Sequence, residues 1–128
     1  MPHAPSYLDA RDLRIHEERP REGMSILVVS GDADLHSAPE LRERLRMAVD
    51  GGATNVVLDL SGVTFIDSTS LGVLLGTMRR LRELDGQMRL VVPRPEVRRI
   101  FELTLLDRVF PLDESRDDAV EALAAEAG

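Results

Sequence analysis

The most constraining stretch of this chain is Asn55-Val56-Val57-Leu58-Asp59-Leu60, a short run almost continuous in apolar and β-branched residues. A strand with one wet face alternates apolar and polar side chains. A run without alternation has to be covered on both faces, which is the condition of an inner strand in a parallel sheet. Helical patterns stand on either side of it. Upstream, Ala38, Leu41, Leu45, Ala48 and Val49 recur at helical spacing. Ser37-Ala38-Pro39-Glu40 has the spacing of a capping box at the start of that helix, and Gly51-Gly52 ends it. Downstream, a helix is expected from about Ser68 to Leu84, with Leu71, Leu74, Leu75, Met78, Leu81 and Leu84 inward. Its Arg79, Arg80, Arg82 and Glu83 face outward, as a solvated helix face.

The remaining segments complete the pattern. Leu13-Arg14-Ile15-His16-Glu17 alternates as a half-buried edge strand, and Met24 to Ser30 reads as a second strand beyond the turn residues Pro20 to Gly23. The short link makes these two an antiparallel hairpin. Met88 to Val92 returns as a strand, and Pro93 and Pro95 introduce a short helix carrying Val97, Ile100 and Phe101. Val109-Phe110 reads as a last short strand. Ser115 opens a final helix with Asp117 and Asp118 in its first turn, where the helix dipole favours negative charge. Strands alternating with helices imply right-handed crossovers. The expected fold class is therefore α/β: one domain, a mixed and mostly parallel sheet with an antiparallel N-terminal edge hairpin, and about four helices. Residues 1–12 read as a flexible lead-in and 13–128 as the domain.

Composition removes several chemistries. There is no Cys and no Lys; all 16 basic residues are Arg. Thiolate nucleophiles, disulfides and Cys-based zinc sites are excluded, as are Schiff-base lysines and the lysine-bearing phosphate loop. The formal net charge of -7 disfavours a nucleic acid partner, because phosphate binding depends on clustered positive charge. No apolar run approaches the roughly 20 residues that span a bilayer. A cytoplasmic protein without a cofactor or a membrane partner is the expectation.

In open α/β sheets, sites gather where strand carboxyl ends lead into helices. Two segments qualify: Gly31-Asp32-Ala33-Asp34 after the second strand, and Phe65-Ile66-Asp67-Ser68-Thr69-Ser70-Leu71-Gly72 before the second long helix. If their strands are parallel neighbours, Asp32, Asp34, His36, Asp67, Ser68, Thr69 and Ser70 share one polar patch. Asp, Ser and Thr there also serve simply as N-caps. The same geometry suits a phosphorylation site: a phosphate at a helix N-terminus is stabilised by free amides and adds about -1.5 to -2 charges.

The run Val56-Val57-Leu58-Asp59-Leu60-Ser61-Gly62-Val63-Thr64-Phe65-Ile66-Asp67-Ser68-Thr69-Ser70-Leu71-Gly72-Val73-Leu74-Leu75 resembles the signature of STAS domains, and in particular that of bacterial anti-sigma factor antagonists. The resemblance runs from about Leu13 to the last helix. It implies a non-enzymatic switch: a serine/threonine protein kinase that is also the anti-sigma factor phosphorylates the Ser after the signature Asp. The unphosphorylated antagonist binds that kinase and frees the sigma factor, and a phosphatase resets the switch. Carried over, the phosphoacceptor is Ser68, preceded by Asp67. Gly31-Asp32-Ala33-Asp34 is similar to the family's Gly-acidic-x-Asp loop beside the phosphosite. The expected partner-binding set is Asp32, Asp34, Asp67, Ser68, Thr69 and Ser70. The sequence departs from the family at Ser70, where glycine is common, which leaves Thr69 and Ser70 as further candidate acceptors.

Two other readings compete. STAS domains also act as accessory subunits of transporters or as binding modules of larger signalling assemblies. A serine hydrolase would use Ser68 as nucleophile, His36 as base and Asp34 or Asp67 to orient it, although the G-x-S-x-G elbow is absent.

Overall fold

The structure is a computed structural model that describes residues 11–127. The first ten residues of the expected lead-in lie outside that range. The chain forms strand β1 (Arg14–Arg21), strand β2 (Met24–Ala33), helix α1 (Ala38–Asp50), strand β3 (Asn55–Ile66) and helix α2 (Ser68–Glu83). Strand β4 (Gln87–Val91), helix α3 (Pro95–Leu103), a 3-10 turn at Leu106–Arg108, strand β5 (Leu112–Asp113) and helix α4 (Arg116–Ala127) follow. The five strands lie in chain order in one sheet. β1 and β2 pair antiparallel, and every later neighbour pairs parallel. The expected hairpin and parallel sheet are both present. The last strand lies at Leu112–Asp113 instead of Val109-Phe110, because Phe110 is needed in the core, where its ring meets Phe101 edge-on at 6.2 Å.

Strand periodicity distributes the core over the two faces of the sheet. Leu27 and Val29 of β2, Val56, Leu58 and Leu60 of β3, and Met88 and Leu90 of β4 pack with α1, α2 and α3 in one large cluster. Met24, Ile26, Val57 and Val91 point the other way, against Ala119 and Leu123 of α4. β3 thus contributes to both clusters, which explains its unbroken apolar run. Complete burial of a Leu such as Leu58 or Leu74 contributes about 1.5–3 kcal/mol relative to exposure. Leu84 departs from the expected inward stripe of α2: it follows the last helical residue and is exposed.

The single acid of that run, Asp59, is buried and fully engaged. Its Oδ1 accepts from the Ser61 amide (2.9 Å) and hydroxyl (2.5 Å), and its Oδ2 lies 3.4 Å from Arg116. Arg116 also meets Glu18 at 3.0 Å, so one guanidinium joins α4 to β3 and β1. A buried carboxylate is tolerated only with such partners. At the opposite face, Asp50 at the end of α1 pairs with Arg46 (2.5 Å) and with Arg80 of α2. Arg80 is therefore a tie between helices, while Arg79 and Arg82 remain exposed as expected.

Candidate functional site: two helix starts at the end of the sheet

β2 and β3 run parallel, so their carboxyl ends emerge together, with Asp32 opposite Phe65 and Ala33 opposite Ile66. Three hydrogen bonds stitch the segments that follow. The Asp67 amide donates to the Ala33 carbonyl (3.0 Å), the Thr64 hydroxyl donates to Asp32 Oδ1 (2.9 Å), and the Ser70 hydroxyl reaches the Asp34 carbonyl (3.5 Å). The two sequence-predicted loops therefore form one surface, as the parallel arrangement requires.

A backbone contact from the chain start holds the first loop from outside. The Asp32 amide donates to the Arg11 carbonyl (2.8 Å), and Gly31 takes φ +93° beneath Asp12. A Cβ at Gly31 would collide with the Asp12 carbonyl, so this glycine is required by both its left-handed φ and the crossing backbone that precedes β1. Residues 11 and 12, expected within a loose lead-in, are thus part of the site's support.

At the start of α1 the expected capping box is not formed. Ser37 has helical backbone angles and its side chain makes no cap bond. Its hydroxyl instead accepts from the Asp34 amide (2.9 Å) and donates to the Asp32 carbonyl (2.9 Å). The turn before the helix is already coiled, which turns the hydroxyl backward. Asp34 satisfies the nearby amides: its Oδ1 accepts from His36 (2.9 Å) and Ser37 (3.0 Å). The bond from the Ser37 amide, first among the causes, lowers the Asp34 carboxyl from its ordinary value; burial opposes this, and the His36 amide adds to the lowering.

At the start of α2, Asp67 is extended at the N-cap and its Oδ1 accepts from the Ser70 amide (3.0 Å). Ser68 is the first helical residue and is exposed. Among the described residues its hydroxyl has no hydrogen-bond partner. The amides of Ser68 and Thr69 precede any intrahelical acceptor, so they face outward with the positive end of the helix dipole. Thr69 is half-buried. Ser70, expected in the partner-binding set and as a further candidate acceptor, is fully buried.

The hydrolase constellation is not assembled. His36 is exposed, it meets Asp34 through its backbone amide, and no hydrogen bond joins it to Ser68. Among the described residues no group of three metal-capable side chains occurs. No described helix is long and apolar enough to cross a membrane.

Sequence reasoning missed three residues of this surface. Thr64 orients Asp32, and two large apolar side chains stand in the open: Leu35 is 64% exposed and Phe65 is 48% exposed. Alternation did not signal Phe65: it shares a strand face with the buried Val63, and the alternation breaks at Thr64-Phe65, where both residues are exposed. Leu35 is marked only as an apolar residue within a polar turn.

Comparison with known proteins agrees with this architecture. BtrV of Bordetella bronchiseptica, named as a candidate anti-sigma factor antagonist, is 35% identical over 101 residues, 79% of this chain and 87% of BtrV. The crystal structure of an anti-sigma factor antagonist from Mycobacterium paratuberculosis superposes with a TM-score of 0.81 at 33% identity, covering 94% of this chain and 97% of that one. Unphosphorylated SpoIIAA of Bacillus gives a TM-score of 0.77 at 25% identity, covering 88% and 97%. The family model for the STAS domain matches residues 17–119, which hold the whole parallel sheet and both helix starts, and the chain belongs to the STAS domain family.

Proposed function

We propose that this chain is an anti-sigma factor antagonist controlled by phosphorylation of Ser68. The observation that carries the reading is the state of that hydroxyl: exposed, without a partner, and set at the N-terminus of α2 beside the Asp32–Asp34 loop. The names of the relatives at 35% and 33% identity support the same class. In its unphosphorylated form the surface binds an anti-sigma factor that is also a serine/threonine kinase, and a sigma factor is released. Asp34 and Asp67 help position the kinase; Asp32, Thr69 and Ser70 complete or support the contact surface. The nucleotide belongs to the kinase, so this chain contributes only the acceptor and the binding surface.

Ser68 suits a switch because nothing in the fold depends on its hydroxyl. A phosphate there meets the free amides of the first turn, so the fold tolerates it. It also adds about -1.5 to -2 charges between Asp32, Asp34 and Asp67, and a partner fitted to the neutral hydroxyl is repelled. A phosphatase acting on phospho-Ser68 restores binding.

The test is titration of the cognate kinase with three variants. Ser68→Ala is expected to bind within about threefold of the unmodified protein. Ser68→Asp and Ser68→Glu are expected to bind at least about 100-fold more weakly, equivalent to about 2.7 kcal/mol. Equal affinity of all three sinks the switch. Mass spectrometry after incubation with that kinase and ATP should locate the phosphate on Ser68; phosphate only on Thr69 or Ser70 refutes the residue assignment.

A further inference from the structure

We infer that Leu35 and Phe65 form an apolar anchor that seats against an apolar surface of the anti-sigma factor, and that phosphorylation of Ser68 works against affinity which these two residues supply. The inference rests on the antagonist reading and names the contact that reading leaves open.

The hydrogen bonds of the surface lead to it. Its three carboxylates are turned onto the chain itself: Asp32 accepts from Thr64, Asp34 from His36 and Ser37, and Asp67 from Ser70. A carboxylate already committed in this way, half-exposed in water, adds little affinity and mainly decides which partners are compatible. Leu35 and Phe65 are different. They are 64% and 48% exposed among the described residues. The chain has only three Phe, and the other two are fully buried against each other. A single exposed apolar residue needs no explanation. Here one stands on each of the two loops, and each directly follows a residue that stitches those loops together, Asp34 and Thr64. The pair therefore stands at the same carboxyl edge of β2 and β3 as Ser68, on loops held together by backbone and side-chain bonds. Much of the affinity of an interface comes from a few anchoring side chains, surrounded by apolar contacts that exclude water, and a preformed surface lowers the ordering cost. Continuity with the Ser68 surface makes the anti-sigma factor the occupant, in preference to a second copy of this chain.

The probe is the kinase that dephosphorylated wild-type protein retains from the source bacterium in ATP-free buffer, then purified and titrated. Phe65→Ser and Leu35→Ser should each weaken its binding 10- to 100-fold, with little dependence of the loss on salt. Phe65→Tyr should recover binding to within about threefold, which separates a lost contact from a lost fold. Leu103→Ser, at the far end of α3 and 70% exposed, serves as the control and should change nothing. If Phe65→Ser and Leu35→Ser bind within twofold of wild type while Ser68→Asp does not bind, the anchor is wrong and the switch stands. If Leu103→Ser costs as much as Phe65→Ser, the anchor is also wrong. A concentration-dependent dimer of the free protein that Phe65→Ser abolishes would assign the surface to a second copy and overturn the proposal. If wild type retains no kinase, the switch reading falls and the anchor falls with it.

Discussion

The two helix starts at the carboxyl end of the sheet are built from the same residue types and end in opposite states. Before α1 the sequence runs Asp34-Leu35-His36-Ser37, and at α2 it runs Asp67-Ser68-Thr69-Ser70. In both, the aspartate accepts from the amide three residues on. The serine hydroxyls divide. Ser37 is held between the Asp34 amide and the Asp32 carbonyl, and Ser70 is buried against the Asp34 carbonyl. Ser68 alone among these three is exposed and unbonded. A hydroxyl already consumed by the backbone cannot gain a phosphate without breaking the turn that holds it. One outside the hydrogen-bond network is modified at no cost to the fold. Equal chemistry in the sequence thus becomes a structural serine at one helix and a free one, the proposed acceptor, at the other.

The comparison breaks most directly by removing the hydroxyls in turn. Ser37→Ala should cost about 1–3 kcal/mol, because the Asp34 amide and Asp32 carbonyl lose their partner in a half-buried turn. Ser68→Ala should stay within about 0.5 kcal/mol, as a surface change outside any network. Denaturant unfolding of the two variants measures both values, and equal losses would erase the distinction. Asp67→Ala should cost about 1 kcal/mol through the lost N-cap of α2. The same experiment checks it, with increased hydrogen exchange at the Ser70 amide as the local sign.

The smallest expected effect is a dependence on pH at the first helix start. The folded-state carboxyl of Asp34 is held below its ordinary value, chiefly by the Ser37 amide. As pH falls, the unfolded chain therefore takes up this proton first. The stabilisation is complete above the ordinary aspartate range and is lost as pH drops through the lowered folded value. The Ser37 and His36 amide resonances should report this, shifting with a midpoint below that of an unperturbed Asp. A midpoint at or above the ordinary value would contradict the observed bonding.

Much of this was legible in the residues because periodicity is a local property. The unbroken run from Asn55 to Leu60 demanded cover on two faces, and β3 has it from α2 on one side and α4 on the other. The stripe Leu71, Leu74, Met78 and Leu81 is buried as its spacing requires, and Ser115 caps α4, its hydroxyl accepting from the Asp118 amide at 3.1 Å. The misreadings share a cause. Ser37, Leu84 and the last strand each depend on what another part of the chain brings alongside. The capping box assumed an extended Ser37, but a coiled turn sent its hydroxyl back to Asp32 and Asp34. Ser70 follows Ser68 and Thr69 in sequence, but helical rotation of about 100° per residue carries it under the α1 loop, against the Asp34 carbonyl.

By itself, the sequence determined the α/β class, a mostly parallel sheet with an antiparallel edge hairpin, and the pair of acidic and hydroxyl-bearing loops that follow two of its strands. It did so because apolar spacing and turn residues act over a few positions, and because parallel strands put successive crossovers at the same edge. Only the tertiary structure decided which hydroxyl is left free and which apolar side chains stand exposed at the same edge. Those outcomes depend on contacts between residues about thirty positions apart, such as Thr64 with Asp32 and Ser70 with Asp34. A hydrogen bond across that separation exists only once β2 and β3 have paired, and that pairing leaves Ser68, Leu35 and Phe65 facing outward.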